Sequence, residues 1–516
     1  MVLLLVIIAA GLILRLSLVL THPGYLGVDG GAYLLSVNAV LGDEPTGAGF
    51  SRPPLAPGWL LVPFVHFLGT DIGYKVWSAL ASLAPVIPVF LFTRRMGVAP
   101  SLFAVGFLLL DLLHAEMIVT GALPLIAFGL LGTAWWAMSR LVEAWSWRNA
   151  TVLTVTVGLI PWVNQTTAGL ALITIPVFAG VLLWYNRRGA GSQRIPGGDS
   201  PDMGRSHIAR ILSRPSTSVL VRLALPLAVG GIVALGALPW YIQVLPGSGL
   251  LHYPGQFLYL AYWNDSAWWQ FLLAWPLGLY LICKGDTPPL RTLGVISCLL
   301  GTLLVFMSTD ETILNVFYRS RYLLAIPFYI GVAWLIYTRW LPALHWKPWA
   351  ISTVVAIALS VMAFGFLTQF KRQAGYSDMI TPASAEALAF IKRTDSTAGI
   401  VNNSFTLALW ISALNKVPSP HTWTWTPPPT FIATDKDVRC ILGWTECDPA
   451  AAQERLNVGF VLIEGRFPYY SLRAPAVFGS LNKARPWDNL PQVAWLVPVF
   501  SQGTTNVYRI DFAQYR

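Results

Sequence analysis

Apolar residues fill long blocks of the chain from Val2 to about residue 370, with short polar segments between them. Blocks of about 15–25 residues match the hydrocarbon thickness that a membrane helix must cross. They predict about eleven spans, beginning near Val2, Gly73, Pro100, Met117, Ala150, Thr166, Val219, Trp268, Thr292, Tyr322 and Trp349. The first block, Val2 to Leu20, has no small-residue cleavage site and further spans follow it, so it reads as a retained helix rather than a signal peptide.

After about Lys371 the pattern changes. Pro382 to Thr394 carries helical periodicity, whereas Gly399-Ile400-Val401, Gly459-Phe460-Val461-Leu462-Ile463 and Asn506-Val507-Tyr508-Arg509-Ile510 read as short strands bounded by turn residues. The expected architecture is therefore a polytopic α-helical membrane protein over residues 1–370, followed by a small C-terminal extracytoplasmic α/β domain over residues 371–516. No internal repeat is visible in the sequence.

Composition agrees with this reading. The chain is 55% hydrophobic and 11% charged, with a mean hydropathy of +0.59, which excludes an ordinary soluble globule. A net charge of +10 would suggest nucleic acid in a soluble protein. Here the basic residues fall in alternate loops, so orientation accounts for them and no nucleic-acid partner is expected. With the N-terminus cytoplasmic, the inner loops hold Arg94, Arg95, Arg140, Arg148, the run from Arg187 to Arg214, Lys284, Arg291, Arg339 and Lys347; the outer loops hold Arg52, Lys75, Arg319 and Arg321. This alternation requires an odd number of spans and an exported tail. The longest inner loop, from Asn186 to about Ser218, reads as a flexible connector near anionic headgroups.

Acids show the opposite bias, with Asp29, Asp43, Glu44, Asp71, Glu116, Asp265, Asp310 and Glu311 facing outward, which puts any chemistry on the outer face. A plasma membrane is favoured over the endoplasmic reticulum. Asn164-Gln165-Thr166, Asn264-Asp265-Ser266 and Asn402-Asn403-Ser404 are sequons expected to face outward. Of the cysteines, only Cys440 and Cys447 lie close together in polar sequence, and they form the candidate disulfide if the tail is exported.

Asp29 lies just beyond the first span among Gly27, Gly30 and Gly31, residues that permit close backbone approach to a ligand. A carboxylate there suits a general base acting on an acceptor hydroxyl or amine; equally, it suits an N-cap for the helical stretch from Ala32 to Leu41. Arg52 stands in a proline-stiffened loop, able to grip a phosphate or to snorkel to headgroups. Asp111, His114 and Glu116 cluster between the third and fourth spans, where ionisable groups are default functional candidates, and with Asp29 they offer donors for a divalent metal. No specific metal motif is present, so no cofactor is assigned.

Arg319, Arg321 and Tyr322 open the tenth span. Two outward arginines ask for an anionic partner, either a lipid phosphate or the nearby Asp310 and Glu311. The outer loop from Tyr241 to Ser266 is aromatic and contributes His252 and Asp265 as candidate substrate contacts.

Together these residues resemble the polytopic glycosyltransferases of GT-C fold, which include the protein O-mannosyltransferases and the lipid A aminoarabinose transferase. The resemblance is carried by Gly27-Val28-Asp29-Gly30-Gly31-Ala32-Tyr33, by Arg52-Pro53-Pro54, by Glu116, by Arg321-Tyr322-Leu323-Leu324 and by the exported tail. It implies that Asp29 is the catalytic carboxylate, that Glu116 lies near the acceptor or a metal, and that Arg52, Arg319, Arg321 and Tyr322 bind the phosphate of a polyprenyl-phosphate sugar. It also implies an extracytoplasmic acceptor: a glycan, lipid or protein. Many members carry a second acid beside the first; here Gly30 stands in that place. The competing classes are a transporter or flippase, which would place polar groups near the midplane and often show repeated halves, and a non-catalytic subunit of a membrane assembly.

Overall fold

The computed structural model describes residues 2–27, 30–42, 55–190, 219–239, 268–307, 320–344, 348–403, 405–417, 419–420, 436–465 and 490–513. Helix α1 (Val2–Thr21) leads into a two-residue strand β1 (Tyr25–Leu26) and then α2 (Gly30–Leu41), α3 (Leu55–Leu68), α4 (Thr70–Ala81) and α5 (Val86–Thr93). The succession continues with α6 (Val98–Leu109), α7 (Leu112–Thr120), α8 (Leu123–Glu143), α9 (Trp147–Val163), α10 (Gln165–Ala190), α11 (Val219–Leu235), α12 (Trp268–Lys284), α13 (Pro288–Met307), α14 (Ser320–Trp334) and α15 (Pro348–Ser377). A π-helical turn, Leu335–Trp340, extends α14.

Six segments among the described residues are long and apolar enough to cross a membrane: Val2–Thr21, Thr70–Thr93, Leu123–Glu143, Thr167–Asn186, Ser320–Ala343 and Ala350–Ala374. The other expected starts fall on helices outside these six, so length and apolarity alone do not reach the anticipated count among the described residues. The fourth span, expected from Met117, begins instead at Leu123. Gly121 follows α7 as its C-cap, and Pro124 opens α8 where its missing N–H costs nothing.

Burial separates the core of the bundle from its rim. The Leu123–Glu143 span is 78% buried and the Ala350–Ala374 span only 11%, so α8 is central and α15 turns most of its apolar surface toward lipid. Helix α14 is buried along almost its whole length. Helices α12 and α13 cross at glycines: a Cβ on Gly294 would lie 2.6 Å from the Gly278 carbonyl oxygen, and one on Gly278 would lie 2.8 Å from that of Gly294.

At 1.5 Å per residue the 30-residue α15 is about 45 Å long, longer than a hydrocarbon core. Strand β2 (Asp378–Ile380) follows it and pairs antiparallel with β1, Tyr25 opposite Ile380. The remainder comprises α16 (Pro382–Thr394), β3 (Gly399–Asn402), α17 (Phe405–Asn415), α18 (Pro449–Leu456), β4 (Val458–Glu464), β5 (Leu496–Gln502) and β6 (Thr505–Ile510). Its four-stranded sheet has the order β3-β4-β6-β5, with β3 and β4 parallel and the other neighbours antiparallel.

Both faces of the sheet are covered, and β4 shows how. Phe460 and Leu462 join a core that includes Tyr33, Leu34, Tyr74 and Trp77, while Val461 and Ile463 join another with Val438, Ile441 and Leu490. The first core is thus shared between the α/β region and the helices that follow α1. Glu464 ends β4 fully buried, its carboxylate accepting from Ser384 Oγ at 2.7 Å and Thr505 Oγ1 at 2.9 Å, and also from Thr504 Oγ1. Cys440 and Cys447 are joined by a disulfide, Cα to Cα 5.9 Å.

Asn402 departs from the sequence reading. It is buried in β3 and its Nδ2 donates to Ser419 Oγ at 2.8 Å, so in the folded chain it is no exposed sequon. Asn164 caps α9 at its C-terminus and accepts from Thr167 N–H at 2.9 Å. Asn264 lies outside the described residues.

Candidate functional site

The site grows out of an interrupted helix. Helix α6 stops at Leu109 and α7 starts at Leu112, which strands carbonyls at one end and N–H groups at the other. In a setting poor in water such groups must find protein partners. Arg15, in the middle of the apolar α1, supplies the donors: Nη2 donates to the Leu109 carbonyl at 2.5 Å and Nη1 to that of Gly11 at 3.0 Å. Asp111 supplies the acceptor, capping α7 by taking the His114 N–H at 2.9 Å. Its second carboxylate oxygen accepts the Tyr329 hydroxyl at 2.7 Å. Arg15, which stacks over Phe366 at 5.2 Å, is close enough to Asp111 for their charges to interact.

Helix α7 then carries His114 and Glu116 into the bundle, and α14 brings Arg321, Tyr322 and Tyr329 to meet them. Tyr322 and Tyr329 share a face because seven residues make about two turns. Arg321 Nη2 reaches Glu116 Oε1 at 2.6 Å, and the Tyr322 hydroxyl donates to the same oxygen at 2.8 Å. The guanidinium also contacts the Tyr322 hydroxyl and lies 4.4 Å from the Tyr322 ring centroid. Arg321 is 2% exposed and Glu116 8%, so this is a buried ion pair and not a surface one. The His114 imidazole hydrogen-bonds the backbone of Tyr322, and its Nε2 is buried without a hydrogen-bond partner among the described residues.

Of the sequence-predicted site residues, the structure brings together His114, Glu116, Arg321 and Tyr322. Asp29, Arg52, His252, Asp265 and Arg319 lie outside the described residues. Arg321 pairs with Glu116 on α7, a partner that sequence proximity did not suggest; Asp310 and Glu311 lie outside the described residues. Asp111 is the N-cap of α7, and its carboxylate accepts the His114 backbone N–H.

Arg15 and Tyr329 were not singled out from sequence. An arginine inside an otherwise apolar span is itself a functional signal, and Arg15 carries it. The described residues contain no group of three or more metal-ligating side chains. Glu116 faces a guanidinium and a hydroxyl, and Asp111 a hydroxyl and a backbone N–H.

The segment between β1 and α2 is held from the α/β region. Trp410, on α17, donates its indole N–H to the Gly27 carbonyl at 2.8 Å. A Cβ on Gly30 would overlap the Trp410 ring, and one on Gly31 would lie 2.5 Å from the Trp410 backbone nitrogen. Asn38 Nδ2 donates to the Ala413 carbonyl at 2.9 Å, so α2 and α17 are joined further along as well. The chain on both sides of residues 28 and 29 is therefore held by the α/β region.

Comparison with known proteins gives the class of fold. No protein-family model matches the sequence, and no curated protein matches it. Solved structures do match. The chain is similar to the oligosaccharyltransferase of Archaeoglobus fulgidus, solved in complex with zinc and sulfate, at a TM-score of 0.56 and 13% identity, covering 98% of this chain and 73% of that one. It is similar to ArnT from Cupriavidus metallidurans bound to undecaprenyl phosphate, TM-score 0.52 and 12% identity, over 98% of this chain and 97% of that one. The apo form of the same ArnT matches at a TM-score of 0.54, with 12% identity and the same coverage. The chain is an integral membrane protein with the fold of the GT-C membrane glycosyltransferases.

Proposed function

We propose that the protein transfers a sugar from a polyprenyl-phosphate donor to an extracytoplasmic acceptor, which is a glycan, a lipid or a protein. The isoprenoid stays in the bilayer while the phosphate and sugar reach the outer end of the bundle. Asp29 takes the proton of the acceptor hydroxyl or amine as that atom attacks the anomeric carbon. The bond from that carbon to the phosphate oxygen breaks, and the polyprenyl phosphate leaves with the electron pair. Arginine charge placed where the leaving group becomes anionic lowers the barrier. Arg321, with Arg52 and Arg319, has this role; Tyr322 orients the Arg321 guanidinium, and Glu116 neutralises it in the absence of donor.

The observation that carries this reading is the buried Arg321–Glu116 pair, 2.6 Å apart on α14 and α7 of a fold shared with an ArnT bound to undecaprenyl phosphate. A buried cation beside a hydroxyl suits a lipid phosphate. The topology that goes with it has a cytoplasmic N-terminus, a membrane domain over residues 1–370 and an exported domain over residues 371–516, in a plasma membrane. The test is a transfer assay in purified membranes with a panel of radiolabelled polyprenyl-phosphate sugars, comparing wild type with Asp29→Asn at matched expression. Transfer lost in the variant supports the mechanism; transfer retained removes Asp29 as the base; no transfer from any donor overturns the reading.

A further inference from the structure

A cavity lies at the far end of α8. Arg94, Trp136, Arg140, Ser146, Arg148 and Asn149 line a space of about 260 Å³ between the end of α5, the last turns of α8 and the first turn of α9. Helix α8 has 21 residues and is about 30 Å long, so this cavity is one hydrocarbon thickness from the α7 end that holds Glu116. It belongs to the opposite membrane surface.

Its lining is rich in donors. The Glu143 carboxylate beside it is taken by Arg95 through two hydrogen bonds, 2.5 and 2.7 Å, and by Arg140 at 2.5 Å. Arg94 and Arg148 therefore have no carboxylate among the described residues. Arg94 stacks over the Trp136 ring at 5.6 Å, and the Trp136 indole N–H is buried without a hydrogen-bond partner among the described residues. Ser146, the N-cap of α9, makes no side-chain cap, which leaves its hydroxyl and the first N–H groups of that helix available. Arg148 is the second residue of α9, where a cation opposes the helix dipole unless an anion stands beside it. The positive-inside tendency explains arginines in a loop; it does not explain the convergence of Arg94, Arg140 and Arg148 on one cavity. Trp145 and Trp147 meet edge to face at 5.3 Å beside the cavity, and Trp147 is 51% exposed, as at a headgroup boundary.

We propose that this cavity binds the phosphate of an anionic membrane lipid, at the surface opposite the transfer site. The test uses the purified full-length protein, delipidated in detergent and titrated with phosphatidylglycerol or phosphatidylcholine under native mass spectrometry. The Arg94→Gln/Arg148→Gln variant changes exposed side chains, and Lys284→Gln/Arg339→Gln, which also removes two charges, is the control outside the cavity. The expected result is preferential phosphatidylglycerol binding that falls roughly tenfold or more in the double variant and is unchanged in the control. Equal binding by wild type and double variant, or an equal fall in the control, overturns the site. Inorganic phosphate that displaces phosphatidylglycerol at equal concentration overturns the lipid as its ligand and assigns the cavity to a soluble phosphate.

Discussion

Trp410 and Gly27 stand 383 positions apart in sequence, yet the indole N–H of one is hydrogen-bonded to the carbonyl of the other in a buried contact. The α/β region thus packs against the segment that follows α1. Removing the donor with Trp410→Phe costs about 0.5–1.5 kcal/mol. Gly31→Ala forces a Cβ against the Trp410 backbone and costs about 1–3 kcal/mol. Both variants should lower the thermal midpoint of the purified protein, and both should lower the transfer rate more than donor affinity. Wild-type melting and turnover for Gly31→Ala would contradict the close packing.

The Arg321–Glu116 pair predicts a compensation. Arg321→Met alone leaves a buried carboxylate without its cation and should cost about 3–5 kcal/mol. Adding Glu116→Gln removes the stranded charge and keeps an acceptor for Tyr322, so the double variant should regain most of the lost stability. If Arg321 also binds phosphate, transfer stays absent in the double variant. A double variant as unstable as the single one would show that the two groups are not coupled.

At the α6–α7 break, Asp111→Ala removes an N-cap worth about 0.5–2 kcal/mol and also the acceptor of Tyr329. Asp111→Asn keeps the capping geometry but loses the charge opposite Arg15. Thermal midpoints should rank wild type, Asn, Ala in descending order, with Tyr329→Phe costing about 0.5–1.5 kcal/mol on its own. An alanine variant as stable as wild type would mean that the break is held by other groups.

Asp395 offers a pH test in the α/β region. The backbone N–H and hydroxyl of Thr397, at 2.9 and 2.8 Å, and the Ala398 N–H hold its carboxyl below the usual carboxylate range. A depressed folded pKa stabilises above the unfolded value and is lost as pH falls through the folded one. Wild type should therefore melt above Asp395→Asn near neutrality, and the difference should vanish in acid. A gap that is independent of pH would assign the effect to the amide's geometry.

Sequence made the larger elements legible where local chemistry and periodicity agreed. Helix α16 begins after the Thr381 cap with Pro382 at its first position and carries Lys392 and Arg393 in its last turn, so both ends are written locally. Strand β4 follows from its apolar run. Strands β1 and β2 have two and three residues and exist only because they pair with each other, which no period reveals. Strand β5 includes Pro498 and the polar Ser501-Gln502, which hide it. At the site, Glu116 and Arg321 stood out as charges near apolar runs, but their pairing across 205 positions is tertiary. The α6–α7 break was hidden because α7 is apolar enough to merge with its neighbours, and Arg15 gained its meaning only from that break.

The β1–β2 pairing and the Trp410 contact also set a timetable for assembly. At about 5–20 residues per second, roughly 20–80 s separate the synthesis of Gly27 from that of Trp410. During that interval the loop has emerged while its clamp has not yet been made. A nascent or truncated chain that ends before α17 holds the six described segments long enough to cross a membrane and still lacks the clamp on Gly27, so that segment is fixed only by a late part of the polypeptide.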